Sequence, residues 1–278
     1  RQMCIRDSIY TFIIVYVNTI NVPKLQLFIQ FLLISRHTID RDMANPYFQF
    51  KKFTVWHDKC AMKVGTDGVL LGAWTSVESA HRILDIGTGT GLVALMLAQR
   101  SLPDANIVAL EIDEAAVGQA RENIIRSPWK ERVEVVQADF RKYRSSDKFD
   151  VIVSNPPYFV DSLECPDRQR AAARHNDSLT YEDLLEGVSG LLTENGFFTV
   201  VIPADVAERV KKIASIKKLY AVRQLNVITK PGGIPKRVLI TFSFSNQECI
   251  VEELLTELAR HQYSEEYMTL TRDYYLNM

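Results

Sequence analysis

The sequence predicts an α/β fold in which one mainly parallel sheet is covered by helices on both faces. Short apolar runs typical of buried strands alternate along the chain with helical patterns, the order expected of βαβ units. The first such run, 82–86, is followed by a glycine turn and a helix-forming run at 92–98. A later run, 149–153, is apolar nearly throughout, as in strands covered on both sides. We therefore expect one domain organised around one sheet.

The composition is that of an ordinary globular protein, with 47% hydrophobic and 24% charged residues. The net charge is −1, so any nucleic-acid contact must come from a local basic patch rather than from the whole surface. The four cysteines are scattered, which indicates neither a zinc cluster nor a disulfide framework. We expect no metal, and a reducing, cytoplasmic location.

Residues 1–42 differ from the rest of the chain. Their two apolar runs, 9–17 and 25–34, are both shorter than the ~20 residues of a membrane span. No small-residue cleavage site of a signal peptide follows them. We expect this segment to be a non-native leader or translation artefact, with a membrane or partner anchor as the alternative.

The stretch 48–56 is both aromatic and basic. Such residues can stack on bases and hold phosphates, but the alternation of Phe48 and Phe50 also fits a half-buried edge strand, which we favour. A turn and short helix are then predicted within 63–74, with Thr66 or Asp67 as the N-cap.

The glycine turn after residue 86 has the spacing G-x-G-x-G, formed by Gly87, Gly89 and Gly91. A nicotinamide-binding fingerprint would need a small residue at position 92, where Leu92 stands. Glycines allow the backbone to approach a ligand closely, and the following helix offers free N–H groups to an anion.

Two carboxylates follow the next two strand-like runs. Glu111 ends the run 106–110, where a carboxylate can accept hydrogen bonds from both hydroxyls of a ribose. Asp139 ends the run 132–137 and is suitably placed to bind an adenine amino group. Either residue alone could be a solvated loop carboxylate, but together with the glycine turn they predict a site for a cofactor that carries a nucleoside.

The fourth run ends in a rigid polar corner, Asn155-Pro156-Pro157-Tyr158. The prolines fix two φ angles and remove two backbone donors, and Asn155 is pushed toward extended geometry. The Asn155 side chain and the Pro156 carbonyl then lie beside an aromatic ring, an arrangement that suits a planar amino group with two protons to donate. A plain turn at the end of a strand is the alternative.

These residues resemble the class I S-adenosylmethionine-dependent methyltransferases, and the corner resembles the motif of enzymes that methylate exocyclic or amide nitrogens. Three further stretches, 61–74, 173–175 and 230–239, are similar to a bacterial family that methylates N6 of an adenosine beside the anticodon of a valine tRNA. The resemblance covers 43–278, which we expect to be the methyltransferase domain.

The resemblance implies a Rossmann-like sheet of seven strands with an antiparallel last pair, S-adenosylmethionine as the cofactor and tRNA as the partner, without a membrane or a metal. We expect a monomer. The resemblance also adds Thr66 and Asp85 to the cofactor site, and it assigns catalysis to the corner: Asn155, Pro156, Pro157 and Tyr158. In this mechanism Asn155 Oδ1 and the Pro156 carbonyl each accept a hydrogen bond from one N6 proton, while Tyr158 stacks on the base.

The long loop 159–179 begins at this corner, and loops of such length are often functional. We expect its arginines to hold RNA phosphates: Arg168, Arg170 and Arg174. Two strands are predicted at 219–229 and 237–245, followed by a surface helix at 250–260.

Three alternative functions stay open. A release-factor glutamine methyltransferase uses the same motif but resembles a chain with a helical domain ahead of the glycine turn. A ribosomal-RNA guanine-N2 methyltransferase is chemically close, and the corner alone does not exclude it. A cofactor-binding RNA chaperone without activity is the non-enzymatic alternative, against which the intact corner argues.

Overall fold

An eight-stranded sheet forms the centre of the computed structural model, which describes residues 45–60, 62–156, 179–260 and 262–278. In chain order the strands are β1 (Tyr47–Gln49), β2 (Thr54–Trp56), β3 (Arg82–Ile86), β4 (Asn106–Glu111), β5 (Val133–Gln137), β6 (Phe149–Ser154), β7 (Leu192–Pro203), β8 (Tyr220–Ile228), β9 (Arg237–Ser243), β10 (Ile250–Leu255), β11 (Glu257–Ala259) and β12 (Gln262–Tyr263). The helices are α1 (Thr66–Trp74), α2 (Leu92–Arg100), α3 (Glu114–Ile125), α4 (Tyr181–Leu191), α5 (Ala207–Ile216) and α6 (Glu265–Thr271).

The strand order in the large sheet is β10-β8-β9-β7-β6-β3-β4-β5. All neighbouring pairs are parallel except β8–β9 and β7–β9. The expected α/β architecture and the antiparallel last pair are confirmed. The sheet has one strand more than the seven predicted.

Helices cover both faces of the sheet because neighbouring strand residues point to opposite sides. Ile83 packs with α1 and α2 in one buried cluster, while Leu84 packs with α4 and α5 in another. The same division separates Val151 from Ile152 in β6. This two-sided burial explains why the central strands are apolar nearly throughout.

The extra strand is β10. It lies where we predicted a surface helix, over 250–260, and that prediction is wrong. All six residues of β10 pair in parallel with β8, from Ile250 opposite Arg223 to Leu255 opposite Ile228. The glutamates and leucines of this stretch favour a helix locally. Pairing with the edge of the sheet outweighs that preference because it satisfies a row of backbone groups that β8 would otherwise expose.

Near the start of the described chain, β1 and β2 form an antiparallel hairpin. Phe50 and Phe53 lie in the core, so these two rings are not available to bases. The half-buried edge strand predicted from Phe48 and Phe50 is instead a separate hairpin, in which Phe50 lies between the two strands. The N-cap predicted at Thr66 or Asp67 is wrong, since Gly65 occupies that position. The Asp67 carboxylate instead accepts a hydrogen bond from Arg237 Nε at 3.1 Å.

Within the parts of the chain that the structure describes, the helices are too short or too polar to cross a membrane.

Candidate active site

The candidate site lies beyond the carboxyl ends of β3 and β6. The chain runs from β3 outward through β4 and β5, then returns to place β6 on the other side of β3. This reversal of strand order opens a crevice at the carboxyl-terminal end of the sheet, where ligands usually bind in such folds. A cavity of about 320 Å³ lies there, and its wall includes these predicted site residues: Gly87, Gly89, Glu111, Asp139 and Asn155.

The loop between β3 and α2 needs its glycines for conformational reasons. Gly87, Gly89 and Gly91 have φ angles of 72°, 56° and 82°, in the left-handed region that other residues rarely adopt. A Cβ atom at Gly87 or Gly89 would meet no described atom within 4 Å, whereas at Gly91 it would lie 3.6 Å from Ala120. The first two glycines therefore leave room for a ligand, whereas at Gly91 the positive φ, rather than a lack of space, favours glycine.

Asp85 lies beneath this loop rather than in the cavity wall and is 1% exposed. Its Oδ2 accepts hydrogen bonds from Thr88 Oγ1 at 2.6 Å and from Ala94 N at 3.1 Å. Burial raises the pKa of this carboxyl to about 7, against the opposing effect of the two hydrogen bonds. Asp85 thus joins the glycine loop to the first turn of α2.

Glu111 holds the opposite wall of the cavity in place. Its Oε2 accepts from Gly89 N at 2.9 Å, and its Oε1 accepts from Ile112 N at 2.8 Å and Asp113 N at 3.0 Å. The carboxylate therefore links the glycine loop to the segment after β4. A carboxylate has about four acceptor positions, so one remains for a ligand hydroxyl.

Asp139 is tied to a residue that sequence reasoning did not identify. Arg141 donates to it from its backbone N at 3.0 Å, from Nε at 3.0 and 3.1 Å, and from Nη2 at 2.8 Å. The Arg141 guanidinium lowers the pKa of the Asp139 carboxyl. An adenine amino group at Asp139 would have to share the carboxylate with Arg141, which also lines the cavity.

Asn155 follows the last residue of β6 at the end of the cavity. Its Oδ1 is buried and has no hydrogen-bond partner among the described residues. A buried acceptor without a partner costs about 1–3 kcal/mol. Buried side-chain atoms of Trp74 and Gln119 also have no hydrogen-bond partner among the described residues, but unlike those residues Asn155 lines the cavity, where a ligand would supply the partner.

The remaining predicted residues lie elsewhere. Thr66 lines a second, neighbouring cavity rather than the one at the glycine loop. Pro156 is buried beside Asn155. The other predicted residues lie outside the described part of the chain: Pro157, Tyr158, Arg168, Arg170 and Arg174.

Several cavity or supporting residues were missed. Cys60 and Met62 line the cavity, but no local sequence pattern marks them. Burial, followed by the effect of Glu111, raises the pKa of the Cys60 thiol to about 11, so it contributes an uncharged wall. Asn123 is fully buried and donates to the carbonyls of Thr90 and Trp56, both at 2.8 Å. The signal for Asn123 is a pair of amides one turn apart, Gln119 and Asn123, on a buried helix face that is otherwise apolar.

Comparison with known proteins finds similar sequences over most of this chain. The family model for the methyltransferase small domain matches residues 62–224. A tRNA1(Val) (adenine(37)-N6)-methyltransferase from Bacteroides thetaiotaomicron is 78% identical over 236 residues, which cover 85% of this chain and 100% of that protein. One with the same name from Aeromonas hydrophila is 46% identical over 84% of this chain and 99% of that protein.

Among solved structures, a protein described as a predicted O-methyltransferase from Agrobacterium tumefaciens superposes with a TM-score of 0.60. The superposition covers 77% of this chain and 100% of the other, at 19% identity. This likeness concerns the fold alone.

Proposed function

We propose that this chain, which belongs to the family of tRNA1(Val) (adenine(37)-N6)-methyltransferases, methylates N6 of an adenosine beside the anticodon of tRNA(Val). The observation that carries the proposal is the buried, unpartnered Oδ1 of Asn155 at the end of β6. Asn155 lines the same cavity as the glycine loop and Glu111. An amide acceptor without a partner among the described residues, beside a site for a nucleoside-bearing cofactor, suits a substrate with an amino group.

Asn155 would act by accepting one N6 proton in a hydrogen bond. The lone pair of an adenine amino group is delocalised into the ring, so the nitrogen is a weak nucleophile. An oriented amide oxygen favours the tetrahedral nitrogen on which positive charge develops, because its dipole is already in place before the reaction. The Pro156 carbonyl is proposed as the second acceptor, and Pro157 completes the corner. Stacking of the unpaired base on Tyr158 is part of the same proposal.

The residues around the cavity fit S-adenosylmethionine. Gly87 and Gly89 leave open space at the loop, Glu111 has one acceptor position left for a ribose hydroxyl, and the walls at Met62 and Ile112 are apolar. A cavity of about 320 Å³ is within the range of small-molecule sites. The cofactor would supply an electrophilic methyl group on a sulfonium: the S–C bond would break as the N6–C bond forms, the neutral thioether would leave, and one N6 proton would then pass to solvent. The protein therefore needs chiefly to orient the acceptor nitrogen.

Asp85 and Gly91 would support this cofactor site from behind the loop. Asp139 is proposed as the adenine partner in competition with Arg141, and Thr66 as a residue close to the methionine end. Residues 43–278 are proposed as the methyltransferase domain. Within the described chain, 47–278 form one compact unit.

The direct test is to incubate the purified protein with unmodified tRNA and S-adenosylmethionine carrying a labelled methyl group. Mass spectrometry of the digested RNA is expected to show the label on N6 of adenosine beside the anticodon of tRNA(Val). Label on guanine or on a protein glutamine would replace the proposed substrate with one of the alternatives. Cofactor binding without any methyl transfer would favour the chaperone. The Asn155→Ala variant serves as the matched negative control.

A further inference from the structure

A second and larger cavity, of about 580 Å³, lies beside the candidate active site. It is enclosed by the N-terminal turn of α1, the end of β8, the start of β9 and the segment that follows β10. β8 is antiparallel to β9, and β9 is antiparallel to β7, so β8 runs in the same direction as β6. The cavity therefore opens at the sheet edge that carries Asn155.

Only one helical turn separates the two cavities. Thr66 and Asp67 line the second cavity. A Cβ atom on the next residue, Gly68, would lie 3.9 Å from Asn155 Nδ2. A polymer with one unit at Asn155 therefore has its adjoining unit within reach of the second cavity.

The interior of the second cavity is aromatic. Tyr263 and Tyr267 stack with ring centroids 5.2 Å apart and an interplanar angle of 28°. Tyr267 is 3% exposed, whereas Tyr263 is 36% exposed. The Tyr267 hydroxyl lies 3.4 Å from that of Tyr275, which also lines the cavity. The buried ring thus holds the outer ring in a fixed orientation, as a platform for stacking requires.

Charged groups of both signs surround these rings. Arg237 pairs with Asp67 at 3.1 Å, and the exposed Lys236 lies beside it in the wall. Glu257 is the other carboxylate side chain in the wall. A lysine next to aromatic rings suits a phosphate joined to a base, and a carboxylate can accept from a base amino group.

We propose that this second cavity binds the base of a nucleotide adjoining the target adenosine, with Tyr263 as its stacking platform and Lys236 near its phosphate. The inference rests on the proposed function, because it requires a single-stranded RNA loop at Asn155. Bases of such loops can be splayed apart and stacked on aromatic side chains. The cavity would then hold the RNA while the target base is held at Asn155.

The test uses the full chain and three variants: Tyr263→Ala, Tyr263→Phe and Tyr220→Ala. The first removes the platform and the second keeps the ring. The third removes a tyrosine at the opposite end of β8 and serves as the matched control. Circular dichroism and calorimetric titration with S-adenosylmethionine check that fold and cofactor affinity are retained.

Binding is measured by fluorescence anisotropy with a labelled anticodon stem-loop, and KM is measured for its methylation. Tyr263→Ala is expected to weaken binding and raise KM about 5- to 100-fold, as for other lost base–aromatic stacks. Tyr263→Phe and Tyr220→Ala are expected to match the wild type. Equal behaviour of Tyr263→Ala and Tyr220→Ala would overturn the proposal.

A second substrate series distinguishes a base from other occupants. Stem-loops are made with an abasic site immediately 5′ or 3′ of the target adenosine. For the wild type, one of the two abasic RNAs is expected to bind more weakly than the intact RNA. For Tyr263→Ala, which already lacks the platform, that abasic RNA and the intact RNA are expected to bind equally. Additive losses for both abasic positions would overturn the base-binding assignment.

Failure of the proposed function gives a different result. RNA that binds in a Tyr263-dependent manner but is not methylated would refute the proposed reaction and leave the second site standing. Methylation at the same rate and with the same KM in the wild type and in Tyr263→Ala would support the proposed reaction and refute the second site. If the wild type binds no RNA, both are wrong.

Discussion

At the scale of single residues, the amide of Asn155 offers the sharpest test of the chemistry. Asn155→Ala is expected to lower kcat by a factor of about 100 to 1,000, as when one preorganised polar contact to developing charge is lost. Cofactor affinity and stability should change little, because Oδ1 has no partner among the described residues. Asn155→Asp should keep part of the activity, since a carboxylate still accepts a hydrogen bond.

Single-turnover methylation of tRNA measures this effect. Asn106→Ala, at the opposite edge of the sheet, is the control and should leave kcat unchanged. A wild-type rate for Asn155→Ala would contradict the proposed role of the amide.

Asp85 makes a prediction about pH. Its pKa is raised from 3.8 to about 7 by burial, so between these values the folded state binds a proton that the unfolded state does not. The free energy of unfolding should therefore fall as pH rises from about 4 to 7, by as much as about 1.4 kcal/mol for each pKa unit. Asp85→Asn should remove this component because an amide oxygen can still accept from Thr88 and Ala94.

The measurement is urea denaturation of both proteins between pH 4 and 8, with their difference plotted against pH. Other carboxyls cancel in the difference. A flat difference would show that Asp85 ionises at its ordinary pKa.

At the scale of elements, the loop between β3 and α2 can be tested with two glycines. Gly91→Ala is expected to destabilise the protein by about 1 kcal/mol or more, because alanine is strained at the positive φ of this position, while its Cβ would meet Ala120 only at van der Waals distance. Gly118→Ala, inside α3 and with open space at its Cβ, should instead stabilise it by about 0.5–1 kcal/mol. The free energy of unfolding of both variants is measured by chemical denaturation. Equal changes for Gly91→Ala and Gly118→Ala would show that the positive φ of Gly91 does not require glycine.

This loop also shows which elements a sequence reveals. The apolar run, the glycines and the helix at 82–98 all act through local conformation, so their pattern was sufficient. β10 was mistaken for a helix because its local composition favours one, and only the exposed edge of β8, remote in sequence, makes it a strand. The central strands also pair with distant partners, but their burial on both faces leaves an apolar run in the sequence, whereas β10 is mostly exposed and carries no such run.

At the scale of the whole molecule, the strand ends that line the first cavity could be anticipated and the rest could not. Gly87 and Asn155 follow β3 and β6, and Glu111 ends β4, so the topology of these parallel strands brings the three residues to one end of the sheet. The Arg141 pair with Asp139 depends on a tight turn whose side-chain contacts no motif encodes. The second cavity combines segments as distant as Phe48 and Tyr275, and no spacing in the chain relates them.

RNA affinity should also depend on the loop that follows the corner. Charge reversal at Arg168, Arg170 and Arg174 is expected to raise KM for tRNA without changing cofactor affinity, because phosphate contacts contribute salt-dependent binding. Charge reversal at Arg121, Lys130 and Lys148 is the control. The measurement is KM for tRNA over a series of salt concentrations. A variant whose KM depends on salt as steeply as that of the wild type would show that these arginines belong to the solvated surface and do not contact RNA.

The position of Met278 has a practical consequence for handling the protein. Its carbonyl accepts from Lys51 Nζ at 3.0 Å, its sulfur lies 3.2 Å from Thr271 Oγ1, and the residue lines the second cavity. A purification tag fused after Met278 would begin at the wall of that cavity and compete with whatever enters it. A tag placed there is therefore better removed by proteolysis before RNA work.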